Sequence, residues 1–268
     1  MDHLADLEKV FDRLAKYHLM LNPKKCVFGV TSGKLLGFIV SKRGIEIDPK
    51  KVKAILDMPP PQTLRQLRTL QGKLQSIRRF ISQLADKCTP FAHLLKKDEN
   101  FKWDSLCQRS FDQLKQYLAN PPILVPPVPG RPLILYISAT PTALGALLAQ
   151  HDDYGRERAI YYISRTLVGY ELNYTPMEKA CLAVVFSTQK LRHYMLSHTI
   201  QLVSKIDPLK YMLSRIALTG RLAKWVMLLS EFDIQYVDRK ALKGKVIADH
   251  LADAPLVDAY PLFRGFPN

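Results

Sequence analysis

A proline-rich segment near the middle of the chain constrains the fold more than any other feature of the sequence. Residues 121–130 place five prolines within nine positions and end on Gly130. Proline fixes φ and removes a backbone donor, so neither a helix nor a central strand is expected to run through this segment. We therefore predict a stiff, extended linker at 121–130 that separates two folding units.

The two sides of this linker differ in charge. The 268 residues carry a formal net charge of +15, of which +10 falls on residues 1–130. Such a balance favours a polyanionic partner, although many basic proteins have none. The four cysteines lack the spacing of a zinc site or a disulfide scaffold, which predicts reduced thiols in an intracellular protein, cytoplasmic or nuclear and not secreted. No apolar run is long enough to cross a bilayer, so we expect no membrane partner.

The first 120 residues combine one hairpin with several helices. Apolar residues at helical spacing predict an amphipathic helix at 3–18, and two β-rich runs, Lys34–Val40 and Gly44–Ile47, predict a hairpin. Helices are predicted after Asp48-Pro49, over 63–84 and over 105–118. Residues 62–97 hold eight Lys or Arg and one acid. The pattern indicates a small, basic helical unit.

After residue 131 strands predominate and helices alternate with them. Strands are predicted at 132–138, 144–150, 159–164, 199–204 and 232–237. Helices are predicted at 177–194, 208–213, 220–229 and 246–251. This order predicts a mixed α/β layer fold. The proline-containing tail, 254–268, has no periodicity and is predicted to be unordered.

Several short motifs in a fixed order carry a family resemblance. They are Leu21–Cys26, Leu36–Val40, Ile47–Val52, Arg78–Ile81, Tyr161–Arg165, Asn173–Lys179 and Gly220–Trp225. Together they resemble the Pol polyprotein of gypsy-type LTR retrotransposons, from just after the polymerase palm through the ribonuclease H region. The resemblance covers nearly the whole chain. It implies an α/β (α+β) fold with a palm-tail helix and hairpin, a small helical thumb, and a ribonuclease H-like mixed five-stranded sheet with flanking helices.

The resemblance also implies a domain order. It gives a distal palm remnant with a primer-grip-like hairpin at 1–48, a basic thumb at 49–120 and a ribonuclease H-like domain at 131–253. The family activities are RNA-directed DNA polymerase and RNA–DNA hybrid ribonuclease. The paired aspartates of the polymerase would lie upstream of Met1, and Asp152-Asp153 falls in a predicted turn. We therefore expect no nucleotide addition by this chain alone.

The ribonuclease H site implied by the resemblance has lost two of its four carboxylates. Ser138 and Lys205 occupy the two lost aspartate positions, while Glu178 and Asp249 are the retained catalytic carboxylates. The family uses Mg²⁺, which prefers several anionic oxygens, and an ammonium group in their place opposes binding. We predict a catalytically dead site with no cofactor and no metal; Glu178 and Asp249 would be the ligands of any ion.

Two alternatives stay open at this stage. An active, magnesium-dependent ribonuclease H with a non-standard site would need a substitute ligand, for which Asp207, or His250 together with Glu178, are the candidates. A decayed, non-functional retroelement frame is the other alternative, although the apolar core positions are intact, which argues against wholesale decay.

The basic residues of the first half are the candidate nucleic-acid ligands. The predicted set is Lys24, Lys25, Arg65, Arg68, Lys73, Arg78 and Arg79. The alternative for these residues is an ordinary charged surface, and for the hairpin an ordinary solvated one. We predict that the chain binds RNA–DNA hybrid or template–primer duplex through phosphates. The other predicted partners are the upstream palm and a downstream ribonuclease H domain of the same polyprotein.

Overall fold

The chain divides into two compact units, residues 1–33 and residues 34–268. A computed structural model describes residues 3–82, 84–95, 101–214 and 220–238. In the first unit, the predicted amphipathic helix is α1 (His3–Lys16), and none of its side chains is buried. Phe11 of this helix packs edge-on against Phe28, with the ring centroids 5.7 Å apart.

The predicted hairpin is part of a three-stranded sheet. Its strands are β1 (Ser32–Leu35), β2 (Phe38–Ser41) and β3 (Gly44–Ile47), in that order, with β2 and β3 antiparallel. The prediction of a single strand over 34–40 is wrong. Leu36 and Gly37 have φ values of 51° and 79°, so the chain turns between β1 and β2.

In the basic half, α-helices account for most of the described residues from 49 to 119. They are α2 (Pro49–Leu56), α3 (Leu64–Gln75), α4 (Leu84–Ala92) and α5 (Ser105–Ala119). Side chains of Asp48, Thr63 and Asp104 accept backbone hydrogen bonds at the N-termini of α2, α3 and α5, which explains where these helices begin. Their apolar faces form one core, with Leu67, Leu70, Phe80, Phe91, Phe111 and Leu114 fully buried.

The prediction of one helix over 63–84 is wrong, because α3 ends at Gln75 and a 3₁₀ turn follows at Arg78–Phe80. Phe80 is fully buried, as is Leu74 within 1%. In a continuous helix these two side chains would point about 120° apart. The break lets both side chains reach the same core.

The second half contains a five-stranded mixed sheet. Its strands are β4 (Leu133–Ala139), β5 (Ala143–His151), β6 (Glu157–Thr166), β7 (Ile200–Ser204) and β8 (Ile234–Asp238). The order is β6-β5-β4-β7-β8, antiparallel from β6 to β4 and parallel from β4 to β8. The predicted mixed α/β fold is thus confirmed.

Helices cover one face of this sheet. They are α6 (Pro176–Lys190), α7 (Arg192–Met195), α8 (Pro208–Leu213) and α9 (Gly220–Leu229). Helix α6 is central to the core, with Cys181, Val184 and Val185 fully buried. The single helix predicted at 177–194 is interrupted at Leu191, whose φ of −108° ends α6. The helix predicted at 246–251 and the tail at 254–268 lie outside the described residues.

The proline-rich segment is irregular, as predicted, but it is packed. Leu124 is fully buried in the core of the basic half and exchanges two backbone hydrogen bonds with Ile45. The next residue, Val125, donates to the Ala159 carbonyl of β6. Gly44 permits this approach, because a Cβ atom there would lie 2.3 Å from the Leu124 carbonyl oxygen. The segment therefore bonds to both cores, and the domain boundaries remain predictions.

Candidate functional site

Two of the predicted site positions lie at the carboxyl ends of neighbouring strands. Parallel β4 and β7 pair in a register that sets Leu133 opposite Ile200 and Tyr136 opposite Val203. Continued by two residues, this register sets Ser138 opposite Lys205. Ser138 is half-buried at the end of β4, and Lys205 is exposed one residue beyond β7. The tertiary structure thus places a hydroxyl and an ammonium group at the carboxyl ends of two neighbouring strands.

Glu178 lies in the first turn of α6, where its carboxylate is already occupied. Glu178 Oε2 accepts hydrogen bonds from the backbone N–H of Thr175 at 2.9 Å and from its hydroxyl at 3.0 Å, which completes a capping box. Oε1 accepts from the Arg221 guanidinium at 2.5 Å. Partial burial alone would raise the pKa of Glu178, but the Thr175 hydrogen bonds and the Arg221 charge outweigh it and hold the pKa below its usual value.

Arg221 was not among the site residues predicted from the sequence. It lies on α9, within the recognised motif, and its guanidinium is 3.9 Å from the ring centroid of Tyr174 and 5.4 Å from that of Trp225. Stacking on two rings and pairing with Glu178 fixes its position against α6. The available signal was the spacing of Arg221 and Trp225, which are four residues apart on one helical face.

The substitute ligands considered from the sequence do not complete a metal site in the described residues. Asp207 is the N-cap of α8, where its Oδ1 accepts from the backbone N–H groups of Leu209 and Lys210, both at 3.0 Å. Asp249 and His250 lie outside the described residues. Asp207 therefore serves the helix terminus, as Glu178 does for α6.

These described residues do not fit a pair of Mg²⁺ ions. Within the described ranges, no three His, Cys, Asp or Glu side chains are grouped so that they could hold a metal. The positions available are a hydroxyl, an ammonium group and a carboxylate that Arg221 already neutralises. Two-metal hydrolysis needs several anionic oxygens that bind both ions. This part of the chain therefore lacks the ligand set for such a step.

The basic residues predicted on the long helix fall into two groups. Arg65 and Arg68 are exposed on one side of α3, and neither forms an ion pair with any residue that the structure describes. Lys73 instead donates to the Ala54 carbonyl at 2.7 Å and joins α3 to α2. Arg78 is exposed beside Gln75, whose side-chain oxygen it contacts at 3.4 Å. Arg65 and Arg68 are thus the two that face solvent from α3.

Arg79 lies between aromatic rings. Its guanidinium is 5.4 Å from the ring centroid of Phe38 in β2, 5.6 Å from that of Phe80 and 4.8 Å from that of Tyr161 in β6. These distances are within the range of cation–π attraction. Arg79 therefore connects the hairpin, the helical core and the five-stranded sheet. It contributes packing there, and the phosphate contact predicted for it stays a prediction.

Lys24 and Lys25 belong to the first unit. Both side chains are exposed, in a turn where the backbone N–H of Lys24 donates to the Asn22 side chain and that of Lys25 donates to the Asn22 carbonyl. Their exposure leaves them available to a ligand. Whether they share a surface with α3 stays a prediction.

One exposed position of α3 is a glycine, Gly72. Gly72 is seven residues beyond Arg65 and four beyond Arg68, so all three lie on one side of the helix. A Cβ atom at Gly72 would have no heavy atom within 4 Å, so no contact within the described chain requires glycine there. Mid-helix glycine costs about 1 kcal/mol relative to alanine. Its presence beside two exposed arginines leaves an open, basic surface, the α3 face (Arg65, Arg68, Thr69, Gly72 and Ser76).

No helix in the described ranges has the length and apolar character required to cross a membrane.

The sequence matches the family model of the RNase H-like domain found in reverse transcriptase over residues 103–202. It is 34% identical over 265 residues to the retrovirus-related Pol polyprotein from transposon opus of Drosophila melanogaster. That alignment covers 94% of this chain and 26% of the relative, so the chain spans about a quarter of the polyprotein's length.

Two solved structures of foamy viral protease–reverse transcriptase share the fold. The one in complex with double-stranded DNA has a TM-score of 0.70 at 24% identity, covering 90% of this chain and 43% of that one. The one in complex with RNA/DNA hybrid has a TM-score of 0.71 at 23% identity, covering all of this chain and 36% of that one. At these identities the likeness shows the fold alone.

Proposed function

We propose that this chain binds RNA–DNA hybrid or template–primer duplex without cleaving it. The premise is that residues 103–202 match the RNase H-like domain found in reverse transcriptase. The exposed basic α3 face is the observation that carries this proposal. The wider sequence is related to a retrotransposon Pol polyprotein, and the activities and partners of such a polyprotein are proposals for this chain. They include the upstream palm and a downstream ribonuclease H domain.

Duplex binding is supported by the arrangement of α3. Arg65 and Arg68 present two guanidinium groups to solvent, and Gly72 removes the side chain that would keep a backbone at a distance. Contacts from arginine to phosphate position a duplex without reading its sequence. The fold is also that of foamy viral proteins solved with double-stranded DNA and with RNA/DNA hybrid. Binding of the same class of ligand is therefore proposed for this chain.

The absence of cleavage is supported by the chemistry at the sheet edge. Of the four family positions, Ser138 is neutral, Lys205 is cationic and Glu178 is bound to Arg221 and to the α6 terminus. A carboxylate paired with a guanidinium offers less net negative charge to a metal, so this pairing weakens Glu178 as a ligand. The fourth position, Asp249, provides at most one further carboxylate. We therefore propose a binding module in which the nuclease chemistry has been lost.

The proposal is tested by hybrid binding as a function of salt. Each lost phosphate contact reduces the slope of log K against log salt by about 0.9. The Arg65→Gln, Arg68→Gln double variant should therefore show a slope smaller by about 2 than the unmodified chain. A matched double variant, Lys53→Gln with Lys102→Gln, also removes two exposed charges and should leave the slope unchanged. Equal slopes in all three proteins contradict binding through α3.

Cleavage is tested on the same labelled hybrid with Mg²⁺ or Mn²⁺. We expect the hybrid to stay intact. Magnesium-dependent cleavage that disappears in Glu178→Gln would establish the active nuclease and overturn the catalytic part of the proposal. Binding with no salt dependence at all would instead favour a fragment without a nucleic-acid role.

A further inference from the structure

An exposed aromatic ring lies on the segment that leads into α6. Residues Gly169–Asn173 form a 3₁₀ turn between β6 and α6, the 169–173 turn. Tyr170 on this turn is 64% exposed, and Leu172 is exposed as well. Single exposed apolar side chains are common on protein surfaces. This ring differs from them because the turn that carries it is firmly held.

Buried charged side chains fix the backbone of the 169–173 turn. Glu171 is buried and accepts two hydrogen bonds from the buried Arg165 guanidinium. The ammonium group of Lys179, also buried, donates to the Leu172 carbonyl at 2.9 Å. Removing either charge from such a pairing is costly, so these contacts keep the turn in one conformation. The exposed ring is therefore presented on a preorganised support, which lowers the entropic cost of binding.

Tyr170 is the outer end of a row of aromatic rings. Its ring centroid lies 5.9 Å from that of Tyr174, which in turn lies 6.1 Å from that of Trp225. The Arg221 guanidinium packs 3.9 Å from the Tyr174 centroid and strengthens this row from within. One side of the Tyr170 ring faces the row, and its exposure leaves the other side to solvent. A planar ligand placed there would extend the row, as bases do when they stack on aromatic side chains.

A carboxamide without a partner accompanies the open ring. Asn173 follows Tyr170 by three residues, and side chains at this spacing eclipse each other on a 3₁₀ turn. Asn173 is exposed, and its side chain makes no hydrogen bond within the part of the chain that the structure describes. A carboxamide offers a donor and an acceptor together, which complements the edge of a nucleobase. The one acid of the turn, Glu171, is neutralised by Arg165 and so does not repel a phosphate backbone.

We infer that the 169–173 turn binds an unpaired nucleobase, which stacks on Tyr170 and exchanges hydrogen bonds with the Asn173 amide. The combination of an open ring and a carboxamide favours a base over a purely apolar partner. Bases within a duplex are already stacked and paired, so the ligand is a single-stranded segment of nucleic acid. This goes beyond the duplex binding proposed for α3.

Binding is measured with the whole chain and two short strands of equal length and charge, oligo(dA) and an abasic strand. We expect oligo(dA) to bind about ten-fold more tightly, as for the gain of one stacked base. Tyr170→Leu keeps an apolar side chain but removes the ring, and should abolish this preference; Tyr170→Trp should retain it. Tyr154→Leu is the matched control, because Tyr154 is 82% exposed on a different turn, and should leave the preference unchanged.

The role of the amide is tested separately. Asn173→Ala should weaken oligo(dA) binding by about five-fold, as for the loss of a hydrogen bond, and should not affect the abasic strand. Circular dichroism and the melting temperature establish that each variant is folded.

Two results overturn the inference: equal binding of the two strands by the unmodified chain, or a preference that survives in Tyr170→Leu. A proline-rich peptide, which also packs on exposed aromatic rings, is the competing probe. If that peptide binds through Tyr170 and oligo(dA) does not, the ring serves a protein partner and the inference is wrong. The Arg65→Gln, Arg68→Gln variant should keep the preference for bases, so this inference and duplex binding through α3 can fail independently.

Discussion

The two halves of the larger unit use their cations differently. In the helical half, Arg65 and Arg68 remain in solvent on the α3 face without an ion-pair partner among the described residues. In the sheet half, Arg165 forms an ion pair with Glu171, and Arg221 forms one with Glu178. Net charge alone does not separate the two uses. What separates them is whether packing brings a carboxylate within reach of the cation.

The largest loss of stability is expected at the most deeply buried of these ion pairs, Arg165–Glu171. Arg165 donates two hydrogen bonds to Glu171, at 2.7 and 2.6 Å, with side chains only 4% and 5% exposed. Glu171→Gln leaves the guanidinium buried without its counter-charge and should lower the free energy of unfolding by about 3–5 kcal/mol in urea titrations. Asp153→Asn removes the exposed partner of Arg131 and should cost less than about 1 kcal/mol. Similar losses of unfolding free energy in both variants would contradict the distinction between buried and exposed ion pairs.

A smaller effect is expected at the Arg221–Glu178 ion pair. A double-mutant cycle with Arg221→Met and Glu178→Gln should give a coupling energy of about 1 kcal/mol, limited by the exposure of Arg221. The exposed Arg192–Glu231 pair provides the control cycle and should give about 0.5 kcal/mol or less. Hybrid affinity should be unchanged in Arg221→Met. A large loss of hybrid affinity in Arg221→Met would indicate that Arg221 contacts the duplex, as is proposed for Arg65 and Arg68.

The same pair predicts a pH dependence. The pKa of Glu178 is lowered in the folded chain, so its stabilising contribution is present above its ordinary value of 4.5 and is lost as pH falls through the lowered pKa. The difference in unfolding free energy between the unmodified chain and Glu178→Gln should therefore be constant near neutral pH and shrink in acid. A difference that grows on acidification would mean that folding raises the pKa of Glu178, which would contradict the prediction.

The smallest effect separates stability from binding on the α3 face. Gly72→Ala should raise the free energy of unfolding by about 0.5–1 kcal/mol, because the new methyl meets open space in a helix. It should also weaken hybrid binding if a backbone approaches Gly72 closely. Thr69→Ala, on the same face, removes atoms and should leave affinity intact. Unchanged affinity in Gly72→Ala would remove the close approach from the proposal.

Local patterns predicted most of the elements but not their breaks. Asp48-Pro49 and Thr63 begin helices as their types favour. The end of α3 at Gln75 was missed, because apolar residues continue at helical spacing to Ile81 and periodicity alone does not mark the 3₁₀ turn at Arg78–Phe80. The turn at Leu36–Gly37 was missed as well. A leucine with positive φ is rare enough that the sequence offers little warning of it.

For the candidate site, the sequence could suggest positions but not the contacts between residues that are distant along the chain. Ser138 and Lys205 could be named from the resemblance, and the register of β4 and β7 sets them at one edge. The partner of Glu178 could not be named, since Arg221 lies 43 residues away along the chain. The packing of Arg79 between rings from three separate elements could not be named either, and the phosphate contact predicted for Arg79 stays a prediction.

The sequence by itself determined the types and order of most elements and several helix N-termini. That Ser138 and Lys205 stand in place of two carboxylates stays a prediction from the resemblance. Only the tertiary structure decided which arginines face solvent and which are bound to carboxylates or rings. The physical reason is range: caps and periodicity depend on neighbours within one or two turns, whereas an ion pair such as Arg221–Glu178 exists only after distant helices pack.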